Sequence, residues 1–285
     1  MRTESPPDHP VLVLGAGWVG LRAARELAST GHPVLATNRS GAPPEGPNPA
    51  GLSFAALDLA GDDETRIAEL VAGHRTVIAC WAPGRSGMDR RDLYVGGARK
   101  LAAACRRSRP DRLIYTSSTS ALPDVDGIVN DDCDLRPTGE RGRIQREAED
   151  VLAESCAASG TGWIILRLAG LYGPGRELGR IYRSDPDRVL PGSGCAPTNL
   201  VHQDDVQQAI EAAVRLDTNW SGVVNVCAPD HRSRRELFAE IATLKGMPPP
   251  RWEKEAEAPR GKRVASDRLG EVLAVSLQHP VHQLG

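Results

Sequence analysis

The chain predicts an α/β fold: a doubly wound parallel sheet with a small C-terminal domain. Two observations carry that expectation. Up to about Tyr172, short apolar runs alternate with longer amphipathic stretches, the pattern of strand–helix–strand units joined by right-handed crossovers. Beyond Tyr172 the alternation breaks into loops and short helical patterns rich in proline and arginine.

The elements follow in order. Residues 1–10 form a polar arm with prolines and without the apolar core of a leader peptide. Val11–Leu14 (VLVL) reads as a buried strand, and GAGWVG then opens an amphipathic helix that runs to about Ser29 and is stopped by Gly31. Pro33–Asn38 is a second strand, GAPPEGPNPAG a loop, and Leu52–Asp58 a third strand. Asp62 and Asp63 cap a helix reaching about Gly73, and Thr76–Ala82 is the fourth strand. A helix from about Met88 to Arg107 precedes the fifth strand, Asp111–Ser118. A helix from about Pro137 to Ala158 leads to a sixth, Gly162–Leu168, and Gly222–Ala228 is a later one. Arg234–Leu244 and Asp267–Ala274 read as short helices. The expected domains are 10–175, completed by about 198–228, and a small domain of 176–197 and 229–285.

Composition excludes several functions. A formal charge of −2 gives no electrostatic reason to expect nucleic acid or an anionic membrane as partner. No apolar run approaches spanning length, so the cytoplasm is the expected location. The six cysteines are scattered without a C-x-x-C pair, and read as reduced, structural thiols. NDDCD, Asn130–Asp134, lacks the ligand spacing of a calcium loop and reads as solvated acid. His279 and His282 sit in a tail without other ligand residues, so no metal site is expected.

Gly15, Gly17 and Gly20, with Trp18 and Val19 between them, fit G-x-G-x-x-G after a strand and before a helix. Gly15 permits the tight turn, Gly17 lets the backbone approach a pyrophosphate, and Gly20 allows close helix–strand packing. The helix N-terminus then offers amides and positive dipole to phosphates. The second strand ends in Thr37, Asn38, Arg39 and Ser40, with no carboxylate to repel a 2′-phosphate and an arginine to pair with one. NADP(H) is therefore favoured over NAD(H). Asp58, ending the third strand, is placed for the adenine, and Leu59 beside it and Trp81 and Ala82 after the fourth strand are further cofactor-binding candidates.

LIYTSSTSA, RLAGLYGPGR, NLVHQDDVQQAI and GKRVASDRL occur in this order after the glycine turn. Together they resemble the extended short-chain dehydrogenase/reductase superfamily in its NAD-dependent epimerase/dehydratase branch, over roughly residues 10 to 280. The glycine spelling resembles the atypical members of that branch. The resemblance implies a Rossmann-type domain, a C-terminal domain closing over the nicotinamide end, and a catalytic Ser or Thr, Tyr and Lys, helped by an Asn. Carried over with Glu149 as anchor, the serine falls on Ser118 with Thr119 beside it. The tyrosine falls on Arg141, the lysine on Gln145 and the asparagine near Tyr94.

The proton donor and its lysine are thus absent. Arginine stays protonated near neutral pH and glutamine does not titrate. Three readings remain open. Another group donates the proton, with Tyr94, Tyr172, His202, or Ser118 or Thr119 through water as candidates. Alternatively the acceptor is an iminium or activated alkene that needs no strong acid, and Arg141 binds a substrate carboxylate or phosphate. In the third, the domain senses NADP(H) without turnover. Tyr172, Arg176, His202 and Arg263 match the family's substrate side, where arginines suit an anionic metabolite. The resemblance also implies a homodimer through helices near 88–107 and 137–157, with Ala148, Val151 and Leu152 as the seam.

Overall fold

A strand flanked by parallel neighbours has both faces covered, which is why VLVL carries no polar residue. In the computed structural model, which describes residues 9–59, 61–82, 89–178 and 189–279, Val11–Leu14 is strand β1 and is buried throughout. It pairs in parallel with β2 (Val34–Asn38) on one side and with β4 (Thr76–Ala79) on the other. β3 (Leu52–Ala56) extends the sheet beyond β2, and β5 (Arg112–Ser118) beyond β4, again in parallel. With β7 (Gly162–Leu168) and β11 (Gly222–Val226) the order is β11-β7-β5-β4-β1-β2-β3. The direction of winding reverses between β1 and β4, and ligands of such sheets bind at the carboxyl ends beside that switch point.

The helices α1 (Gly20–Ser29), α2 (Glu64–Val71), α3 (Gly97–Ser108) and α4 (Glu140–Ser159) match the alternating pattern of the sequence. Of the two aspartates expected to cap α2, Asp63 does so, accepting from the Arg66 amide at 3.0 Å. Asp62 instead closes the preceding loop, its carboxylate taking the Asp58 amide at 2.7 Å. The helix expected from Met88 is interrupted: Asp92–Gly96 is one π-helical turn before α3, and Met88 lies outside the described residues. Ala148 and Leu152 of α4 are 0% and 1% exposed within the chain's own core, so they do not form a dimer seam.

One buried polar cluster ties these elements together. Glu149 on α4 and Arg167 on β7 are each 2% exposed and meet through bonds of 2.7–3.1 Å. Ser117 at the end of β5 donates to the same carboxylate at 2.6 Å. Arg112, at the start of β5, is also buried, and donates to the carbonyls of Leu216, Asp217 and Trp220.

Contacts divide the chain into two compact units: 1–123, 135–167 and 207–224 in the first, and 124–134, 168–206 and 225–285 in the second. The second unit holds three two-stranded parallel pairs: β6 (Gly127–Val129) with β13 (Lys262–Val264), β8 (Gly170–Tyr172) with β10 (Leu200–His202), and β9 (Val189–Leu190) with β12 (Arg251–Trp252). Its core includes Tyr172, Leu178, Leu237, Phe238 and Ile241, three of them from α6 (Arg234–Leu244), whose N-terminus Ser233 and Glu236 close as a capping box. In NDDCD, Asn130, Asp132 and Asp134 are exposed as expected, but Asp131 departs from the solvated reading. It is 6% exposed, and its carboxylate accepts from the amides of Asn225 at 2.5 Å and Arg268 at 3.3 Å. Burial raises its pKa against those hydrogen bonds. Among the described residues no helix is long and apolar enough to cross a membrane.

Removing one partner of the buried pair leaves the other charge desolvated and unpaired. Glu149→Ala is expected to cost about 3–5 kcal/mol in urea unfolding, with most of it restored in the double variant Glu149→Leu/Arg167→Met. A double variant no more stable than Glu149→Ala would contradict this account.

Candidate functional site

In the first unit, the glycine turn sits at the switch point. Gly15 has φ +97°, and a Cβ there would lie 3.1 Å from the Trp81 nitrogen just after β4. A Cβ on Gly20 would come within 2.2 Å of the Gly15 carbonyl oxygen, so the first turn of α1 can rest on the strand end only without a side chain. Gly17 differs: it is exposed, and a Cβ there meets nothing within 4 Å. Packing explains two of the three glycines, and the third leaves room above the turn. Thr37 holds the turn from β2, its hydroxyl taking the Gly15 amide at 3.1 Å and its carbonyl the Ala16 amide at 2.6 Å. No side chain caps α1, so the N-terminal dipole faces outward beside Trp18 and Val19, both half-buried.

After β2, Asn38 builds the next turn. Its amide donates to Ala42 O at 2.8 Å, and its oxygen accepts from the Gly41 amide at 2.7 Å and the Ser40 hydroxyl at 3.0 Å. Arg39 is exposed and makes no hydrogen bond or ion pair among the described residues. Leu59 packs under α3, where a Cβ on Gly97 would be 2.6 Å from its methyl. Lys100 donates to the carbonyls of Leu59 at 3.0 Å and Asp62 at 2.6 Å, fixing the loop that begins at half-buried Asp58. Trp81 is buried against Tyr115, with ring centroids 5.5 Å apart, and Ala82 is exposed.

The end of β5 runs into a 3-10 turn, Thr119–Ala121, and α4 lies directly on it. A Cβ on Gly142 would be 2.4 Å from the Ser120 carbonyl, so only glycine allows this approach. The Ser118 hydroxyl accepts from the Ser120 amide at 3.2 Å and has no acceptor for its own proton among the described residues; Thr119 is buried. Gln145 is buried and accepts a long 3.5 Å bond from the Tyr115 hydroxyl. Arg141, one turn earlier, is exposed. Tyr94 lies in the π-helical turn and is 9% exposed. Burial raises its pKa above the ordinary 10.0, while the fields of Arg90 and Arg141 pull it down.

In the second unit, Tyr172 is buried and donates to His279 O at 3.1 Å. Burial, and then the fields of Asp205 and Asp230, push its phenol up to about 12. His202 meets Tyr172 edge-on at 5.1 Å and stacks on His279 at 4.2 Å. His279 is therefore not isolated from other ligand residues: Asp204 and Asp205 also face it. His282 lies outside the described residues. Arg176 is exposed, its amide bonded to Gly173 O at 2.8 Å. Arg263 lines a cavity of about 540 Å³ with His231, Asp267, Leu269 and Leu277, and makes no hydrogen bond or ion pair through its side chain among the described residues.

The buried partners Glu149, Arg167 and Asp131, and the His202–His279 contact, were not recognised in the sequence. A usable signal existed for one. Arg167 interrupts the apolar run GWIILRL, and an arginine on a buried strand requires a partner.

A glycine turn at the switch point of a doubly wound sheet, room above Gly17 and an uncapped helix define a dinucleotide-binding protein. The model of the NAD dependent epimerase/dehydratase family matches residues 11–227, and the chain belongs to that family, and so to a class of enzymes that work with a nicotinamide dinucleotide. Protein YeeZ of Escherichia coli (strain K12) is 30% identical over 275 residues, covering 95% of this chain and 96% of its own length. Among solved structures, MoeE5 in complex with UDP-glucuronic acid and NAD is 22% identical at TM-score 0.80, covering 96% of this chain and 95% of that one. UDP-glucuronic acid 4-epimerase from Bacillus cereus in complex with NAD is 18% identical at TM-score 0.78, with the same coverages. Both structures share the fold.

The glycines predict a separation of stability from binding. Gly17→Ala is expected to unfold within about 1 kcal/mol of the parent and to weaken dinucleotide binding tenfold or more, about 1.4 kcal/mol. Gly20→Ala is expected to lose about 2 kcal/mol or more in stability, because the new methyl meets a carbonyl. Thermal unfolding with and without NADPH distinguishes the two.

Proposed function

We propose that the chain is an NADP(H)-dependent oxidoreductase or epimerase-like enzyme acting on a small anionic metabolite, with Tyr94 as its proton carrier. The observation that carries this reading is a buried phenol lying in the field of two arginines, Arg90 and Arg141, at a position where the family resemblance calls for an amide. When bound, the dinucleotide supplies hydride chemistry. The Gly15–Gly20 turn would hold its pyrophosphate and the unpaired Arg39 a 2′-phosphate.

The chain's own residues supply the rest. Ser118 has a hydroxyl proton to offer a substrate oxygen, steadied through the Ser120 amide. Tyr94, like any phenol, is a protonated donor at neutral pH, and burial raises its pKa further. Arg90 and Arg141 stabilise the phenolate that forms as the proton leaves. In the second unit's own cavity, Arg263 and Asp267 suit an anionic ligand that also carries a hydrogen-bond donor. A cytoplasmic location and a homodimer, though not one through Ala148 and Leu152, stay part of this proposal.

A second reading, a non-catalytic NADP(H)-binding sensor, is favoured by Gln145, a buried, non-titrating amide already engaged by Tyr115. Turnover decides between the two. The purified protein is assayed for NADPH oxidation on carbonyl, imine and enone acceptors, and for epimerisation of UDP-sugars, the ligand class named for the MoeE5 structure. NADPH binding without turnover across the panel would establish the sensor.

Three outcomes are expected. Arg39→Ala weakens NADPH binding about 10–100-fold, the worth of a charge-assisted bond, and leaves NADH binding within about twofold. Tyr94→Phe lowers kcat about 10²–10⁴-fold with unchanged NADPH affinity. The acid form of Tyr94 is present at every pH below its raised pKa, so kcat/KM stays level from about pH 6 to 9 and falls only as pH rises past about 10. A fall below pH 9 that Tyr94→Phe leaves unchanged would assign the proton to another group.

A further inference from the structure

We propose that His202, Asp204 and His279 form a site for a divalent transition metal of zinc type, which ties the C-terminal segment to β10 and the start of α5 (Gln203–Arg215) in the second unit. Two imidazoles and one carboxylate are donors that zinc takes readily.

Hydrogen-bond roles and distances at these three residues favour a metal over a proton. Asp205 is fully buried, and its carboxylate takes the amides of Gln278 at 2.8 Å and His279 at 3.2 Å, and faces His279 Nδ1 at 3.1 Å. Nδ1 therefore carries a proton, and in the neutral ring Nε2 is an acceptor. That Nε2 lies 3.4 Å from Asp204 Oδ2, itself an acceptor. His202 Nδ1 accepts from the Asp204 amide at 3.2 Å, which makes it an acceptor too, and it lies 3.6 Å from the same Oδ2. Three acceptor atoms thus converge, and a bound cation answers all three at once. Charge-assisted N–H···O bonds run about 2.7–2.9 Å, so 3.4 and 3.6 Å are too long for a proton shared with the carboxylate. Bonds of about 2.05 Å in a tetrahedron place ligands about 3.3 Å apart, close to the observed spacing.

Asp205 then acts as the outer carboxylate that orients a ligating histidine. Access is open: the side chains of His202, Asp204 and His279 are 13%, 32% and 29% exposed. Ligation turns the imidazoles out of their 23° stack and replaces the Asp204 amide bond to His202. Both changes are side-chain rotations at half-exposed positions. The fourth coordination position is left to water.

The test uses untagged protein stripped with chelator, titrated with Zn²⁺ by calorimetry and with Co²⁺ by visible absorption. Expected are one ion per chain, tetrahedral Co²⁺ bands, and a higher unfolding temperature with zinc. His202→Ala/His279→Ala is expected to abolish binding. Asp204→Asn keeps shape and fold, and is expected to lose the bands while unfolding at the metal-free temperature of the parent. Asp205→Asn is expected to weaken affinity about 10–100-fold. Substoichiometric binding, or equal binding by the double-histidine variant or by Asp204→Asn, would overturn the site. None of these readouts depends on NADP(H) turnover.

Discussion

The Glu149–Arg167 pair is the contact on which the placement of the candidate catalytic helix depends. Such a pair adds little net stability over an apolar alternative, because desolvating two charges offsets most of their attraction. What it imposes is position: the carboxylate must lie where Arg167 and Ser117 can both reach it, so α4 cannot slide or rotate without stranding a charge. Residues four and eight positions earlier lie on nearly the same face, drifting about 40° at each step. Gln145 is thereby held against Tyr115 inside the core, while Arg141 emerges into solvent at the helix start. The close approach at Gly142 completes the docking by removing the side chain that would push α4 away from the Ser118–Ala121 segment.

Features determined by near neighbours in the chain were readable beforehand. β1, the glycine turn and α1 follow from the contiguous stretch Val11–Ser29, since strand burial, positive φ and helix periodicity are local demands. The order of the sheet follows from handedness and short connections. What escaped reading depends on partners far apart in sequence. NDDCD looks solvated until Asp131 meets the amide of Asn225, 94 positions away. His279 looks isolated until Asp205 brings it back across 74. A charge pattern shows that a residue is polar, but only the fold shows whether its partner is water. The π-helical turn at Tyr94 was missed because Leu93, Gly97, Leu101 and Ala104, all buried, keep helical spacing in the sequence across it.

Burial suits a neutral side chain at position 145. A 5% exposed side chain that carried an ammonium would need a permanent partner, whereas a neutral amide is satisfied by one hydroxyl. A positive charge lies one turn toward the N-terminus on Arg141, where exposure to water lowers its cost. A fixed cation at that place cannot donate a proton at neutral pH, but it can favour the anionic form of a phenol beside it.

The two buried candidate tyrosines are separated by the sign of their surroundings. Tyr172 is raised to about 12 by burial and then by two carboxylates, Asp205 and Asp230, which oppose the phenolate that proton donation would create. Its hydroxyl is already committed to the His279 carbonyl, so using it as an acid would also loosen the C-terminal segment. Tyr94 bears the same cost of burial, but both charges acting on it are arginines, and they lower the energy of its conjugate base. A general acid must stay protonated in the resting protein and release its proton without leaving an unsupported anion. Both phenols meet the first condition by their ordinary pKa, which burial raises further; only at Tyr94 do the neighbouring charges, both arginines, favour the anion.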